Sequence, residues 1–257
     1  MINKNQEVKY MNSLVKGGKN TYGEIIGIIM QERKFPRIPG DIGNAWTFSF
    51  PVKYHVIKGL NISTRRKLWS SDYEEFINPF IAAAKQLEKD GVRAITSSCG
   101  AHVQFQKVIA NAVNIPVFMS SLLQIPIVYK MLKKDQKVGV ITAEAGPYGL
   151  GKKHYEAAGA ADIPIVTIGM EDSDVFSNIE KDLEGIDPSA IEKEIVNHAK
   201  KLVNMNPEIG AIVLECTNMP PYAKAIQEAV ELPVFDIVTL TNWVYSAFVK
   251  KEFEGYM

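Results

Sequence analysis

Short apolar runs alternate with amphipathic stretches along most of the chain. Residues 25–30 (IIGIIM) form the first run and read as a strand. Residues 71–90 carry helical periodicity. Ser71 or Asp72 supplies an N-cap, Glu74 and Glu75 occupy the first turn, and Gly91 ends the helix, with a kink expected at Pro79. Residues 92–97 read as a strand, 103–113 as a helix and 115–119 as a further short strand. The series restarts with strands at 137–142 and 165–170. A long helix is expected over 188–203, capped by Asp187 with Pro188 at its first position, and Ile191, Ile195, Ala199 and Leu202 form its apolar face. Then come a strand at 209–214, a helix at 221–230, a strand at 233–235 and a closing helix in TLTNWVYSAFVKKEF. Such alternation means βαβ units and a mainly parallel sheet.

A longer period lies over the local one. The segment VRAITSSCGAHVQFQKVIANAVNIPVF superimposes without a gap on IGAIVLECTNMPPYAKAIQEAVELPVF, 117 residues further on. Ala94 meets Ala211, Ile95 meets Ile212, Lys107 meets Lys224, and Pro116-Val117-Phe118 meets Pro233-Val234-Phe235. A long helix precedes each copy, and KVGVIT echoes IIGIIM. This is duplication of a whole lobe rather than a solenoid repeat. The fold class that follows is α/β, with two pseudo-symmetric Rossmann-like lobes, mainly parallel sheets and a cleft between them.

Composition narrows the function. At 257 residues the chain holds one large domain or two modest ones, and its 46% hydrophobic and 23% charged content is that of an ordinary globular protein. Zero formal net charge argues against nucleic acid or an anionic membrane as the main partner. No apolar run approaches the length of a membrane span. Residues 1–22 read as a polar extension with no apolar stretch of the secretory kind. Two cysteines build no disulfide framework, and the cytoplasm is the expected compartment.

Those two cysteines, Cys99 and Cys216, occupy the same position in both copies, where a strand exits towards a helix start. A lone cysteine in such a place is ordinarily a packing residue. Matched cysteines are different, because ligands of open α/β sheets bind at the carboxyl ends of strands and helix N-termini lower thiol pKa values. Both thiols are therefore expected to face one cleft from opposite sides. Opposed acid and base groups suit proton transfer at a carbon beside a carboxylate: one thiolate removes the proton and the other thiol returns one, inverting the centre. Backbone N–H groups at the strand exits would hold the carboxylate and the charge that develops on it.

The pairing of SSCG with LECTNMPPY in duplicated lobes resembles the cofactor-independent aspartate/glutamate racemase superfamily, most specifically at Cys216-Thr217. The resemblance covers nearly the whole chain after the extension. It implies that Cys99 and Cys216 are the acid/base pair, that no cofactor or metal is needed, and that Thr217 holds the substrate. It further implies that lobe one comprises residues 23–119 and 233–257, and lobe two 120–232. Asn218 stands where glutamate racemases carry histidine; Gly100-Ala101 replaces Asn-Thr, and Met30-Gln31 replaces Asp-Ser. Gln31, Gly100, Ala101, Thr142, Thr217 and Asn218 are the substrate-binding candidates, Thr217 and Asn218 serving equally well as helix caps. The expected function is a racemase or epimerase of a small, amino-acid-like carboxylate, with little activity on free aspartate or glutamate. A decarboxylase, a cis-trans isomerase or a non-catalytic small-molecule binder are the alternatives, and a homo-oligomer is left open.

Three further features bear on the chemistry. The loop RKFPRIPGDIGN follows the first strand, and Arg33, Arg37, Asp41 and Asn44 either clamp a carboxylate or amine there or face solvent. His102 either tunes Cys99 or lies on a helix surface. GPYGLGKK, residues 146–153, nearly matches a phosphate loop, but Lys153 stands where Ser or Thr is required, so a substrate-side loop with Thr142 at its root is the preferred reading.

Overall fold

The computed structural model describes residues 17–19, 21–61, 74–147, 149–253 and 255–256. The expected caps Ser71 and Asp72, and most of the N-terminal extension, lie outside the described residues. Two parallel sheets form. The first has the order β2-β1-β3, from Ile26–Gln31 (β1), Val52–Ile57 (β2) and Ala94–Ser97 (β3). The second has the order β5-β4-β6-β7, from Lys137–Thr142 (β4), Ile165–Gly169 (β5), Ile209–Leu214 (β6) and Val234–Phe235 (β7).

Among the described residues the α-helices, in chain order, are α1 (Glu74–Asp90), α2 (Gln106–Ala112), α3 (Ile125–Met131), α4 (Lys152–Ala157), α5 (Ser177–Glu180), α6 (Pro188–Met205), α7 (Ala223–Val230) and α8 (Ile237–Phe248). Burial on both faces explains why β1, β4 and β6 read as continuous apolar runs. On β6, Ala211 and Val213 join a central core with Ile29, Leu87 and Val140, while Ile212 and Leu214 pack with Ile191, Ile195, Ala199 and Leu202 of α6. Asp187 caps α6 by accepting from the N–H groups of Ser189 and Ala190, as the sequence led us to expect.

The duplication persists in three dimensions. In each copy a buried strand ends, a cysteine follows two residues later, and a short 3-10 helix (Gly100–Phe105 or Pro220–Tyr222) leads into an α-helix (α2 or α7). The single helices expected at 103–113 and 221–230 are thus each divided. Residues 115–119 make only one ladder bridge, Ile95 to Val117, instead of the expected strand. Side chains replace the ladder: Gln106 bonds the Val117 carbonyl and the Met119 N–H, while Thr96 and Ser97 donate to the carbonyls of Phe118 and Met119.

The chain crosses back late. Val234–Phe235 pairs with β6 in the second sheet before the chain reaches the first. Asp236 then caps α8, which seats Ile237 and Leu240 among Ile26, Ile28, Met30 and Ala94 of the first sheet. Among the described residues no helix is long and apolar enough to cross a membrane.

Candidate active site

The carboxyl ends of β3 and β6 meet at one cleft of about 400 Å³, counted with its open mouth. Cys99 and Cys216 both line it, together with Gln31, Ser98, Thr217 and Asn218. Both cysteines are free thiols, Cys99 half-buried and Cys216 only 8% exposed.

Position 100 makes the two strand exits touch. A Cβ on Gly100 would lie 2.3 Å from the Glu215 carbonyl oxygen and 2.4 Å from its Oε1. Any side chain at position 100 would force the two strand exits apart, a physical reason for glycine there. Thr217 closes the same junction, its hydroxyl donating to the Ser98 carbonyl (2.7 Å). Ser121 adds a bond to the Leu214 carbonyl (2.7 Å).

The loop after β1 docks over the Cys216 side. Gly40 has φ +101°, and a Cβ there would sit 2.7 Å from Pro221 Cα, so only glycine gives both the turn and the approach. The Ile42 N–H donates to the Thr217 carbonyl (3.4 Å). Asp41, buried, accepts from Arg37 Nη1 (2.8 Å), from the Gly43 N–H (2.7 Å) and from Asn218 Nδ2 (2.7 Å). Asn218 Oδ1 in turn faces Cys216 Sγ at 3.5 Å. Arg33 is held by Asp182 and by the carbonyls of Ile179 and Glu180. Asn44 is occupied in the loop's own turn, bonding the Arg37 carbonyl and the Trp46 N–H. Of these four loop residues, Arg33 and Arg37 line the cleft wall, and Asp41 meets it through its bond to Asn218.

Gln31 is positioned from behind. Its side-chain nitrogen lies 3.0 Å from His102 Nε2, and His102 Nδ1 lies 3.1 Å from Ser97 Oγ, which donates to the Met119 carbonyl. His102 is not on a helix surface. It is buried against Phe80, and burial lowers its pKa to about 3, so the ring is neutral. A neutral ring with Nδ1–H directed at Ser97 accepts from Gln31 at Nε2.

The remaining candidates fall elsewhere. Ala101 is buried in the central core and does not line the cleft. Thr142 reaches the site indirectly, donating to Glu215 Oε2 (2.7 Å). In the near-phosphate loop, the N–H groups of Gly146, Gly149 and Leu150 bond the carbonyls of Leu150, Gly146 and Glu144, so these three donors are turned inward.

Glu215 is the residue the sequence reading passed over. Its side chain is 1% exposed and stands beside Cys216 on the cleft wall. A charged residue closing an apolar strand run was the available signal, since glutamate is almost never fully buried without a partner. Burial first, and the Glu215 carboxylate second, push the Cys216 thiol pKa well above its usual value; the Asn218 backbone N–H opposes them.

The model of the Asp/Glu/hydantoin racemase family matches residues 64–244. The chain belongs to that family. Relatives within reach of sequence comparison carry a different activity in their names. A dimethylsulfoniopropionate lyase from Durusdinium sp. clade D is 29% identical over 230 residues, 87% of this chain and 75% of that one. Dimethylsulfoniopropionate lyase 7 from Emiliania huxleyi is 31% identical over 232 residues, 87% and 67% of the two chains. Similar solved structures include arylmalonate decarboxylase (TM-score 0.56, 13% identity, covering 86% of this chain and 91% of that one). A glutamate racemase from Bacillus anthracis has a TM-score of 0.56, 14% identity and coverage of 88% and 81%. The aspartate racemase of Picrophilus torridus has a TM-score of 0.53, 17% identity and coverage of 90% and 96%. At these identities the solved structures share the two-lobed fold, and that alone.

Proposed function

We propose that the protein is a carbon–sulfur lyase that cleaves dimethylsulfoniopropionate, or a closely similar β-onium carboxylate, to dimethyl sulfide and acrylate. The observation that carries this reading is the similarity to lyases of that name over 87% of the chain, combined with two thiols on one small cleft. The chemistry follows the family's first step and departs at the second. A cysteine thiolate removes the proton α to the carboxylate. The C–H electron pair becomes the Cα–Cβ double bond, and the Cβ–S pair leaves with sulfur as neutral dimethyl sulfide. The proton gained by the cysteine then passes to water. No oxidant or reductant is required.

Gln31 and the backbone N–H groups at the two strand exits are the groups that would orient the carboxylate and stabilise charge developing on it, since Thr217 spends its hydroxyl proton on the Ser98 carbonyl and Asn218 turns its amide nitrogen to Asp41. Glu215 and Glu180 put carboxyl groups on the wall, the group type that would suit a cationic sulfonium head, while Arg33 and Arg37 beside them are each paired with an aspartate.

One observation keeps a second reading in view. Elimination needs one base, whereas the cleft carries two thiols from equivalent positions, the arrangement that racemisation or epimerisation of a small carboxylate requires. Incubating purified protein with dimethylsulfoniopropionate separates the two. The expected result is dimethyl sulfide in the headspace with an equal amount of acrylate by proton NMR. Absence of both, with loss of optical activity from a hydroxy or amino acid, overturns the lyase reading in favour of an isomerase.

A further inference from the structure

The two cysteines are equivalent in the duplication but not in their surroundings, and the difference is written in hydrogen-bond direction. Asp41 forms an ion pair with Arg37 (2.8 Å) and also accepts from the Gly43 N–H. It can engage Asn218 only as an acceptor, so the NH2 end of the Asn218 amide turns to Asp41. The carbonyl end is thereby aimed at Cys216 Sγ. An oxygen at that place accepts from S–H and repels a thiolate.

We propose that the chain Arg37–Asp41–Asn218 holds Cys216 as a neutral thiol, leaving Cys99 as the thiolate that takes the α-proton. Asp41 and Asn218 are thus positioning residues that break the symmetry of an inherited two-thiol site. The proposal deepens the proposed function and rests on the cleft being a site of proton transfer.

Three independent features agree with it. The Glu215 carboxylate stands next to Cys216 and disfavours a second negative charge there. The charged and titratable groups around the sulfur are Cys99, Glu215, Asp41 and Arg37, with Arg33 and Glu180 further along the wall. Arg33 and Arg37 are each engaged by an aspartate, so neither is directed at Cys216 as an ion-pair partner. Exposure points the same way. A base that takes a proton every turnover must return it to water, and Cys99 is half-buried where Cys216 is nearly closed off. The contrary influence is the Asn218 backbone N–H, which favours the thiolate and is outweighed by burial and Glu215.

The test uses the fact that the chain has two cysteines, so Cys99→Ser and Cys216→Ser each leave one thiol. Ultraviolet absorbance of the thiolate, followed against pH on folded protein, reports each ionisation without substrate. Cys99 is expected to ionise at a pH at least about one unit below Cys216, a tenfold difference in thiolate fraction. Adding Asp41→Asn to Cys99→Ser lets the Asn218 amide turn and is expected to raise the Cys216 thiolate fraction severalfold. Asn218→Ala removes the acceptor while leaving the Arg37–Asp41 pair intact, and serves if Asp41→Asn does not fold. Cys216 ionising at or below the pH of Cys99, or failing to respond to either substitution, overturns the proposal. Because no substrate is involved, that failure would leave the lyase reading standing, while missing dimethyl sulfide would refute the lyase reading and leave this assignment untouched.

Discussion

Gly100→Ala would drive a methyl group into Glu215. The new Cβ would stand 2.3 Å from a backbone oxygen, and contacts below 3.0 Å are essentially never seen, so the two strand exits must separate by about 0.7 Å. The Glu215 carbonyl cannot easily yield. Its residue's N–H is bonded to Ile141 O at 2.9 Å, and its oxygen accepts from Ser121 Oγ at 3.3 Å. The carboxylate, second in the way, is tied to Thr142. Overpacking of this kind costs about 1–3 kcal/mol, a melting temperature lower by roughly 2–12 °C for a chain of this size. The effect on turnover should exceed the effect on folding. Cys99 adjoins Gly100, Cys216 adjoins Glu215, and misplacement by ~1 Å typically costs about 100-fold in rate. The assay pairs a thermal melt with the initial rate of dimethyl sulfide release. A variant that melts with the wild type refutes the claim that this approach is tight. One that melts lower yet turns over at full rate refutes the claim that it sets the cysteine geometry.

Two other outcomes are expected. Cys99→Ser should lower elimination at least ~100-fold, and Cys216→Ser should lower it much less, because serine still donates to Asn218 and elimination returns no proton to carbon. Equal losses in headspace assays would contradict a single-base reaction. Stability should fall in acid through two buried histidines, His102 with its pKa lowered to about 3 and His154 to about 4, both chiefly by burial. The unfolded chain binds protons below about pH 6.5 that the folded chain refuses, so their stabilising contribution is full above that pH and is lost as pH falls towards 4 and 3. The slope reaches about 1.4 kcal/mol per pH unit for each histidine. Urea denaturation across this window should show a shallower decline for His102→Gln, and a flat wild-type profile would contradict the burial argument.

Where the structure followed the sequence, the signal was local. The α6 helix carries its start in Asp187 and Pro188 and its buried face in Ile191, Ile195, Ala199 and Leu202, each residue within a turn or two of the next. β6 appears at residues 209–214 because a strand buried on both faces is a continuous apolar run. The matched positions of Cys99 and Cys216 were legible because duplication copies a strand exit together with its cysteine. By contrast, β2 escaped notice: VKYHVI is a half-exposed edge strand with no apolar run, and its pairing with β1 is what makes it a strand. The stretch at 115–119 looked like a strand, yet the side chains of Thr96, Ser97 and Gln106 take the hydrogen bonds a ladder would have used.

The sequence by itself determined the α/β alternation, the doubled lobe and the matched placement of the two candidate thiols, because periodicity, capping and repetition are properties of neighbouring residues. Only the tertiary structure decided what distinguishes those groups. His102 is a neutral core residue because Phe80 and Gln31 close over it from other elements. Asn218 turns its carbonyl to Cys216 because Asp41, 177 residues earlier, takes its amino group. A thiol's protonation state depends on burial and on charges within a few ångströms, and those are brought together by the docking of loops that the chain's local pattern leaves unspecified.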